Sequence, residues 1–382
     1  MTGRLRVLVL NLRDRGNPHA GGAEEHLHKL FGNLAARGHD VTLFCGSFPG
    51  ASRRAELDGI KIVRRGGRFT TTMWSILYYL RNQTRFDVIV DYTCQLHFLT
   101  PLYVRLPRLA VALHVVGEVY TNDLPWPAGH LLAWWESFSL RRFYGRERFI
   151  ALSNSTAEDL QGHGIHSSQI RVIHVGRIDP PPLGARPSLT PGLLYLGRLR
   201  RYKRVDWILR AMPEIVRARP DAHLHIVGSG DQAKNLEKLA RRLGIDDHVT
   251  FHGWLPEDAK WKIIRSCWLS IQPSMKEGWG MTVMEAAACG VPSLAANVPG
   301  LRDAVLPGHS GELFDPERPG EITRIAIELL GDDERRAQLG LGALEWARSF
   351  SWEESAKQLE EMLHETVAAT DAQVVVAEHA AR

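Results

Sequence analysis

Short apolar runs of strand length recur along this chain, separated by segments in which apolar residues return every three or four positions. The first run, RLRVLVLN (Arg4 to Asn11), leads through a glycine pair, Gly21 and Gly22, into the helical pattern AEEHLHKLFGNLAARG, closed at Gly38. HDVTLFCG, RFDVIVDY, RLAVALHV and RERFIALS repeat the run, interleaved with helical stretches such as MWSILYYLRNQ. Runs that are continuously apolar predict strands buried on both faces, as in parallel sheets covered by crossover helices. Near the middle, GRIDPPPLGARPSLTPG breaks both periods, and we assign residues 179–191 as a linker after an N-terminal domain of residues 1–178. The alternation then restarts: GLLYLGRL, the helix VDWILRAMPEIVRARP, the strand AHLHIVGSG, a helix over 231–243, and the strands HVTFHG and CWLSIQP. A helix from about Met281 to Cys289 and the strand VPSLAA follow, so residues 192–350 form a second α/β domain. SWEESAKQLEEMLHETV predicts a helix over 351–366 that packs back on the first domain, and 367–382 is expected to be a mobile tail.

Composition changes this picture little. With 382 residues, 44% hydrophobic and 24% charged, the chain is ordinary globular material and too long for one typical core. A net charge of +4, spread along the chain, favours a local anion site over a nucleic-acid surface, and no nucleic-acid partner is expected. The four cysteines, Cys45, Cys94, Cys267 and Cys289, stand singly without CxxC spacing, which predicts buried free thiols in a reducing compartment. With no signal-like segment and no apolar run long enough to span a bilayer, a cytoplasmic protein is expected.

The candidate chemistry lies at strand ends. In YLGRLRRYKRVD, Arg198 directly follows a strand and Lys203 precedes a helix; two cations beside a helix N-terminus suit a diphosphate, although a solvated basic loop has the same composition. In EGWGMTVMEAAACGVP, Glu277 sits in a turn where Gly278 and Gly280 permit close backbone approach, and Glu285 lies about a turn into the following helix. Ionised carboxylates accept hydrogen bonds from neighbouring hydroxyls, as on a sugar or ribose. The segment 119–149, with Trp126, Trp134, Trp135, Arg141, Arg142, Arg146 and Arg148, suits an anionic membrane surface or a hydrophobic acceptor, and equally a core helix with a solvated edge.

Taken together, these segments closely resemble the family 4 glycosyltransferases of the GT-B fold, two Rossmann-like domains facing across a cleft. The resemblance rests on the Glu-x7-Glu element, GRL with Lys203, the VGSG turn at Gly228, FHGWLPE, and VPGLRDAV with GHSGELFDP, all in the family's order. It implies a retaining enzyme that moves a sugar from a UDP- or GDP-type donor to a glycan, lipid-linked or small-molecule hydroxyl. By the same resemblance Glu277 meets the transferred sugar, Glu285 the ribose, and the amides around Gly278, Trp279, Gly280 and Met281 the sugar and phosphate. Arg198 and Lys203 hold the diphosphate, Gly22 and Gly228 approach the donor, and His114 lies near the sugar on the acceptor side. Gly21, His19, Glu25 and His26 are further acceptor-side candidates. No Asp-x-Asp pair stands at a nucleotide-binding strand end, so no metal or other cofactor is expected. A sugar-nucleotide epimerase of the same fold and a non-catalytic nucleotide-sugar-binding subunit are the alternatives, and peripheral contact at the inner face of a membrane stays open.

Overall fold

A computed structural model describes residues 3–67, 69–93, 98–182 and 188–380, with side chains through 370. Cys94 and part of the expected linker, 183–187, lie outside the described residues. The chain divides into two compact units: Met1–Gly117, Leu131–Gly176 and Ser351–Arg382 form the first, Glu118–His130 and Arg177–Phe350 the second.

The first unit opens with β1 (Arg6–Leu10), α1 (Gly22–Ala36), β2 (Asp40–Cys45), β3 (Arg54–Leu57), β4 (Ile60–Arg64), α2 (Thr71–Asn82), β5 (Val88–Tyr92) and β6 (Arg108–Ala112). Along the chain come α3 (Glu118–Asp123), which belongs to the second unit, and α4 (Ala128–Phe143), which returns to the first at Leu131, then β7 (Arg148–Ala151), α5 (Asn154–Gly162) and β8 (Ile170–Val172). The strands form an eight-stranded sheet in the order β3-β4-β2-β1-β5-β6-β7-β8, parallel except for the β3–β4 pair. Val7, Leu8, Val9 and Leu10 are all fully buried, because helices cover both faces. Each such side chain contributes about 1.5–3 kcal/mol relative to exposure.

Register assigns the helices to faces. Leu10 of β1, Asp91 of β5 and Ala110 of β6 stand side by side on one face. Tyr79 of α2 packs with Leu8 and Leu10, and Leu140 of α4 with Ala110 and Ala112, so α2 and α4 share that face. Asp91 ties the region together, its Oδ2 accepting from Tyr144 Oη at 2.5 Å and Thr100 Oγ1 at 2.8 Å. Tyr92 points the other way, against Phe31 and His26 of α1, on the face opposite α2 and α4.

The second unit contains β9 (Gly192–Leu196), α6 (Val205–Ala218), β10 (His223–Val227), α7 (Ala233–Leu243), β11 (Val249–Gly253), α8 (Glu257–Ser266) and β12 (Leu269–Gln272). It continues through α9 (Met281–Ala288), β13 (Ser293–Ala296), α10 (Leu301–Ala304), β14 (Gly311–Phe314), α11 (Glu321–Gly331) and α12 (Asp333–Arg348). Its parallel six-stranded sheet runs β11-β10-β9-β12-β13-β14. The last helix, α13 (Trp352–Ala380), belongs to the first unit, where Trp352 packs on His26 with ring centroids 5.7 Å apart. It continues as one helix past 366, where the sequence pattern ended it. The pattern missed the polar edge strand β3, the strands β4 and β8, the short β14, and the membership of 118–130 in the second unit.

Candidate functional site

Two turns of the second unit converge. The first leaves β9, where buried Tyr195 donates its hydroxyl to the Arg198 carbonyl at 3.0 Å and fixes the loop. The second leaves β12 and carries Glu277. Met275 N–H donates to the Tyr202 carbonyl at 2.9 Å, tying the two together. Glu277 is held from behind: its N–H donates to Pro299 at 3.1 Å, and a Cβ at Gly300 would stand 2.2 Å from its carbonyl oxygen. Only glycine fits at position 300, where φ is also +83°.

This places Lys203 Nζ in an ion pair with Glu277 Oε1, the two side chains 14% and 17% exposed. Burial weighs against the ammonium, but the Glu277 carboxylate outweighs it and holds the Lys203 pKa above its ordinary value. Arg198 is exposed, and no carboxylate pairs with it among the described residues; its charge acts on Lys203 and on Tyr202. Asp123, from the stretch 118–130, accepts the Tyr202 N–H at 3.3 Å.

A second lysine–carboxylate pair stands alongside. Lys260 of α8 donates to Glu285 of α9 at 2.7 Å and to Glu257 at 2.9 Å. These carboxylates also hold its pKa up against burial. Sequence reasoning missed Lys260, which sits in an amphipathic helix and reads as an ordinary surface cation; so do the supporting roles of Tyr195 and Gly300.

Other candidates are placed as follows. Gly278 and Met281 are half-buried, whereas Trp279 is buried, its ring edge-on to Phe350 with centroids 5.3 Å apart. Gly280 caps α9 at φ +96°, packed against Ala304 and Leu301. At Gly228 a Cβ would meet the Gly197 carbonyl at 1.9 Å, so this glycine serves backbone packing between the loops after β9 and β10. In the first unit, His114 is half-buried two residues beyond β6. Gly22 begins α1, and the Gly21 N–H is engaged by Glu24 Oε2 at 2.7 Å. His19 is exposed, and Glu25 pairs with Arg15 at 3.1 Å. His26 does not reach the surface: it is 1% exposed, Nδ1 meets Tyr92 Oη at 3.2 Å, Nε2 has no hydrogen-bond partner among the described residues, and burial lowers its pKa to about 4. Cys45 and Cys267 are buried, but Cys289 is only partly so.

One group of described residues has ligand-like spacing for a metal, His39, Glu360 and His364. His39 Nδ1 accepts the Leu5 N–H at 3.1 Å, so Nε2 carries the proton toward Glu360 at 3.1 Å, and Glu360 also takes Arg37 at 2.6 Å. Both ring nitrogens are engaged, which suits a structural triad better than a metal. Two surface hollows of about 500 and 490 Å³, on α7 and around α5, include none of the candidate residues. No helix among the described residues is long and apolar enough to cross a membrane.

Two parallel-sheet α/β units with chemistry at their strand ends define the GT-B class. The chain matches the families described as Glycosyltransferase Family 4 over residues 20–179 and Glycosyl transferases group 1 over residues 185–346. It belongs to the family 4 glycosyltransferases. A D-inositol 3-phosphate glycosyltransferase of Thermomonospora curvata is 35% identical over 48% of this chain and 45% of its own length. The match thus spans about half that relative. A GDP-mannose-dependent alpha-(1-6)-phosphatidylinositol monomannoside mannosyltransferase of Mycolicibacterium smegmatis is 26% identical over 91% of this chain and 95% of its own. Among solved structures, sucrose-phosphate synthase of Thermosynechococcus elongatus superposes with a TM-score of 0.79 at 21% identity, covering 96% of this chain and 100% of that one. This likeness establishes the fold.

Proposed function

We propose that the protein is a retaining glycosyltransferase that moves a sugar from a UDP- or GDP-type donor to a hydroxyl of a glycan, lipid-linked or small-molecule acceptor. The observation that carries this reading is the partly buried Lys203–Glu277 pair beside exposed Arg198. Cleaving a sugar–phosphate bond builds negative charge on the departing diphosphate, and preorganised cations stabilise that charge in the transition state. Arg198 and Lys203 take this role in place of a metal. Glu277 accepts from hydroxyls of the transferred sugar, Glu285 from the ribose, and backbone amides around Gly278, Gly280 and Met281 complete the donor contacts. His114 serves the acceptor side. The acceptor oxygen attacks the anomeric carbon from the leaving-group side, the bond to phosphate breaks, and the departing phosphate takes the acceptor's proton. The mannosyltransferase relative, named for a GDP-mannose donor and a phosphatidylinositol-based acceptor, supports keeping GDP-sugars and lipid-linked hydroxyls among the substrates.

The test is thermal unfolding with UDP, GDP or ADP in the presence of EDTA, for wild type and Arg198→Ala. A nucleotide at 100 times its dissociation constant stabilises by about 2.7 kcal/mol. One nucleotide is expected to do so, and Arg198→Ala should weaken it by roughly 1.5–3 kcal/mol of binding energy while leaving the free protein's midpoint unchanged. Absence of stabilisation by every nucleoside diphosphate, or stabilisation that needs added metal, would overturn the metal-free diphosphate site.

A further inference from the structure

Helix α2 is inverted with respect to its own chemistry. It buries Thr71, Ser75 and Tyr79, one face at four-residue spacing. Each inward polar group is satisfied: Thr71 Oγ1 donates to Gly67 at 2.8 Å, Ser75 Oγ to Thr72 at 2.7 Å, and Tyr79 Oη accepts the Arg105 N–H at 3.0 Å. The helix is therefore seated, and its aliphatic side faces out. Met73 is 58% exposed and Leu80 51%, with Leu77 between them, Trp74 beside them and Phe69, 84% exposed, one turn before. On the same face of the sheet α4 repeats the inversion. Glu136 turns inward to accept the N–H groups of Val116 and Gly117 at 3.0 and 2.7 Å, while Leu131, Trp134 and Phe138 are exposed, the last two stacked at 5.2 Å.

Charge surrounds this apolar face with one sign. From Gly59 to Phe86 the sequence holds six cations and no Asp or Glu. Arg64 is taken by Asp14 and Lys61 by Asp40, but Arg65, Arg81 and Arg85 are exposed and have no carboxylate partner among the described residues. Arg65 lies over the Trp74 ring at 5.8 Å. Burial raises the Tyr78 pKa, and Arg85, Arg54 and Arg65 pull against it, which gathers three guanidiniums around the middle of the helix. A second copy of this chain laid on the face would bring like charges together. An anionic bilayer answers both features, with phosphates meeting the guanidiniums and the acyl boundary receiving the apolar stripe.

We propose that the outer face of α2, extended by that of α4, docks the protein on an anionic lipid surface. The membrane contact anticipated at 119–149 thereby falls mainly on α2. The proposal is independent of the donor-site reading, because its readout is lipid binding rather than sugar transfer.

The test is co-sedimentation of the whole protein with vesicles of phosphatidylcholine alone or with about one-third phosphatidylglycerol. Wild type is expected to sediment with the anionic vesicles only, and less so at high salt. Arg65→Gln/Arg81→Gln/Arg85→Gln should weaken binding about a hundredfold, at roughly fivefold per arginine. Met73→Gln/Leu77→Gln/Leu80→Gln should abolish it, with unchanged helicity and unchanged nucleotide stabilisation. Wild type left in the supernatant with anionic vesicles, or variants that bind as wild type does, would overturn the proposal. A dimer in size-exclusion chromatography that the aliphatic variant dissolves, without lipid binding, would assign the face to a second copy instead.

Discussion

Each unit holds an ion pair sheltered from solvent, fully in the first and partly in the second, and the two differ in what they leave unused. In the first unit Asp14 and Arg64 are both buried: Asp14 Oδ2 takes Arg64 Nε at 2.7 Å and Cys45 Sγ at 3.3 Å, while Oδ1 takes Arg64 Nη2 and Gly16 N–H, each at 2.8 Å. Every strong acceptor direction is occupied. In the second unit Lys203 and Glu277 meet through one nitrogen and one oxygen, keep slight exposure, and stand beside Arg198, which has no carboxylate partner among the described residues. The difference separates a structural pair from the pair proposed to bind the donor. A closed pair fixes the chain, whereas an open one retains donors and acceptors that a charged, hydroxylated ligand can take.

The strongest way to break this contrast is Arg64→Met, which strands the Asp14 carboxylate. Destabilisation of about 3–5 kcal/mol is expected in urea, as for other buried pairs cut on one side, with nucleotide affinity unchanged in the fraction that folds. Lys203→Met should do the reverse, lowering kcat/KM about 10²–10³-fold, or roughly 3–4 kcal/mol, at a smaller stability cost. Glu277→Ala on its own leaves the Lys203 ammonium half-sheltered, so it should lose both activity and some stability. Adding Lys203→Met to Glu277→Ala should recover stability but not transfer, and recovery of transfer would remove both residues from the site.

A buried histidine sharpens the comparison. His26 is held neutral, with its pKa lowered from 6.5 to about 4 by burial. Because the folded value lies below the unfolded one, its contribution is fully present above pH 6.5 and is lost as pH falls toward 4, roughly 3 kcal/mol in all. Asp91, raised to about 6 by burial, has the opposite sign: its contribution is present below its ordinary 3.8 and lost as pH rises through 6. Unfolding free energies between pH 4 and 7 should therefore lose one slope in His26→Leu and the opposing slope in Asp91→Asn. The smallest effect is expected for Lys260→Met, which releases Glu285: about a tenfold rise in KM for the donor, with little change in kcat.

How much was legible beforehand follows from the range of each interaction. β9 could be read from its run GLLYL, without a charged residue, because a strand covered on both faces must be apolar throughout. β3 could not, since an edge strand with mostly exposed side chains has no pattern to distinguish it from a loop. Glu277 and Glu285 stood out because the glycine turn and helix that carry them are local. Lys260 and Gly300 act on those same carboxylates from 25 and 23 positions away, and nothing near them in sequence marks that role.

By itself the sequence determined the two alternating α/β halves, the strand-end turns and the residue types at the candidate site, because periodicity, glycine and proline act over a few residues. Tertiary structure alone decided which charges close on each other and which stay open. It also decided that His26 is sealed against Tyr92 and Trp352, and that α2 turns its aliphatic face outward. The physical reason is the same in each case: helical spacing defines faces without saying which one the sheet will cover, and the strength of a charge depends on neighbours that only the folded chain brings within reach.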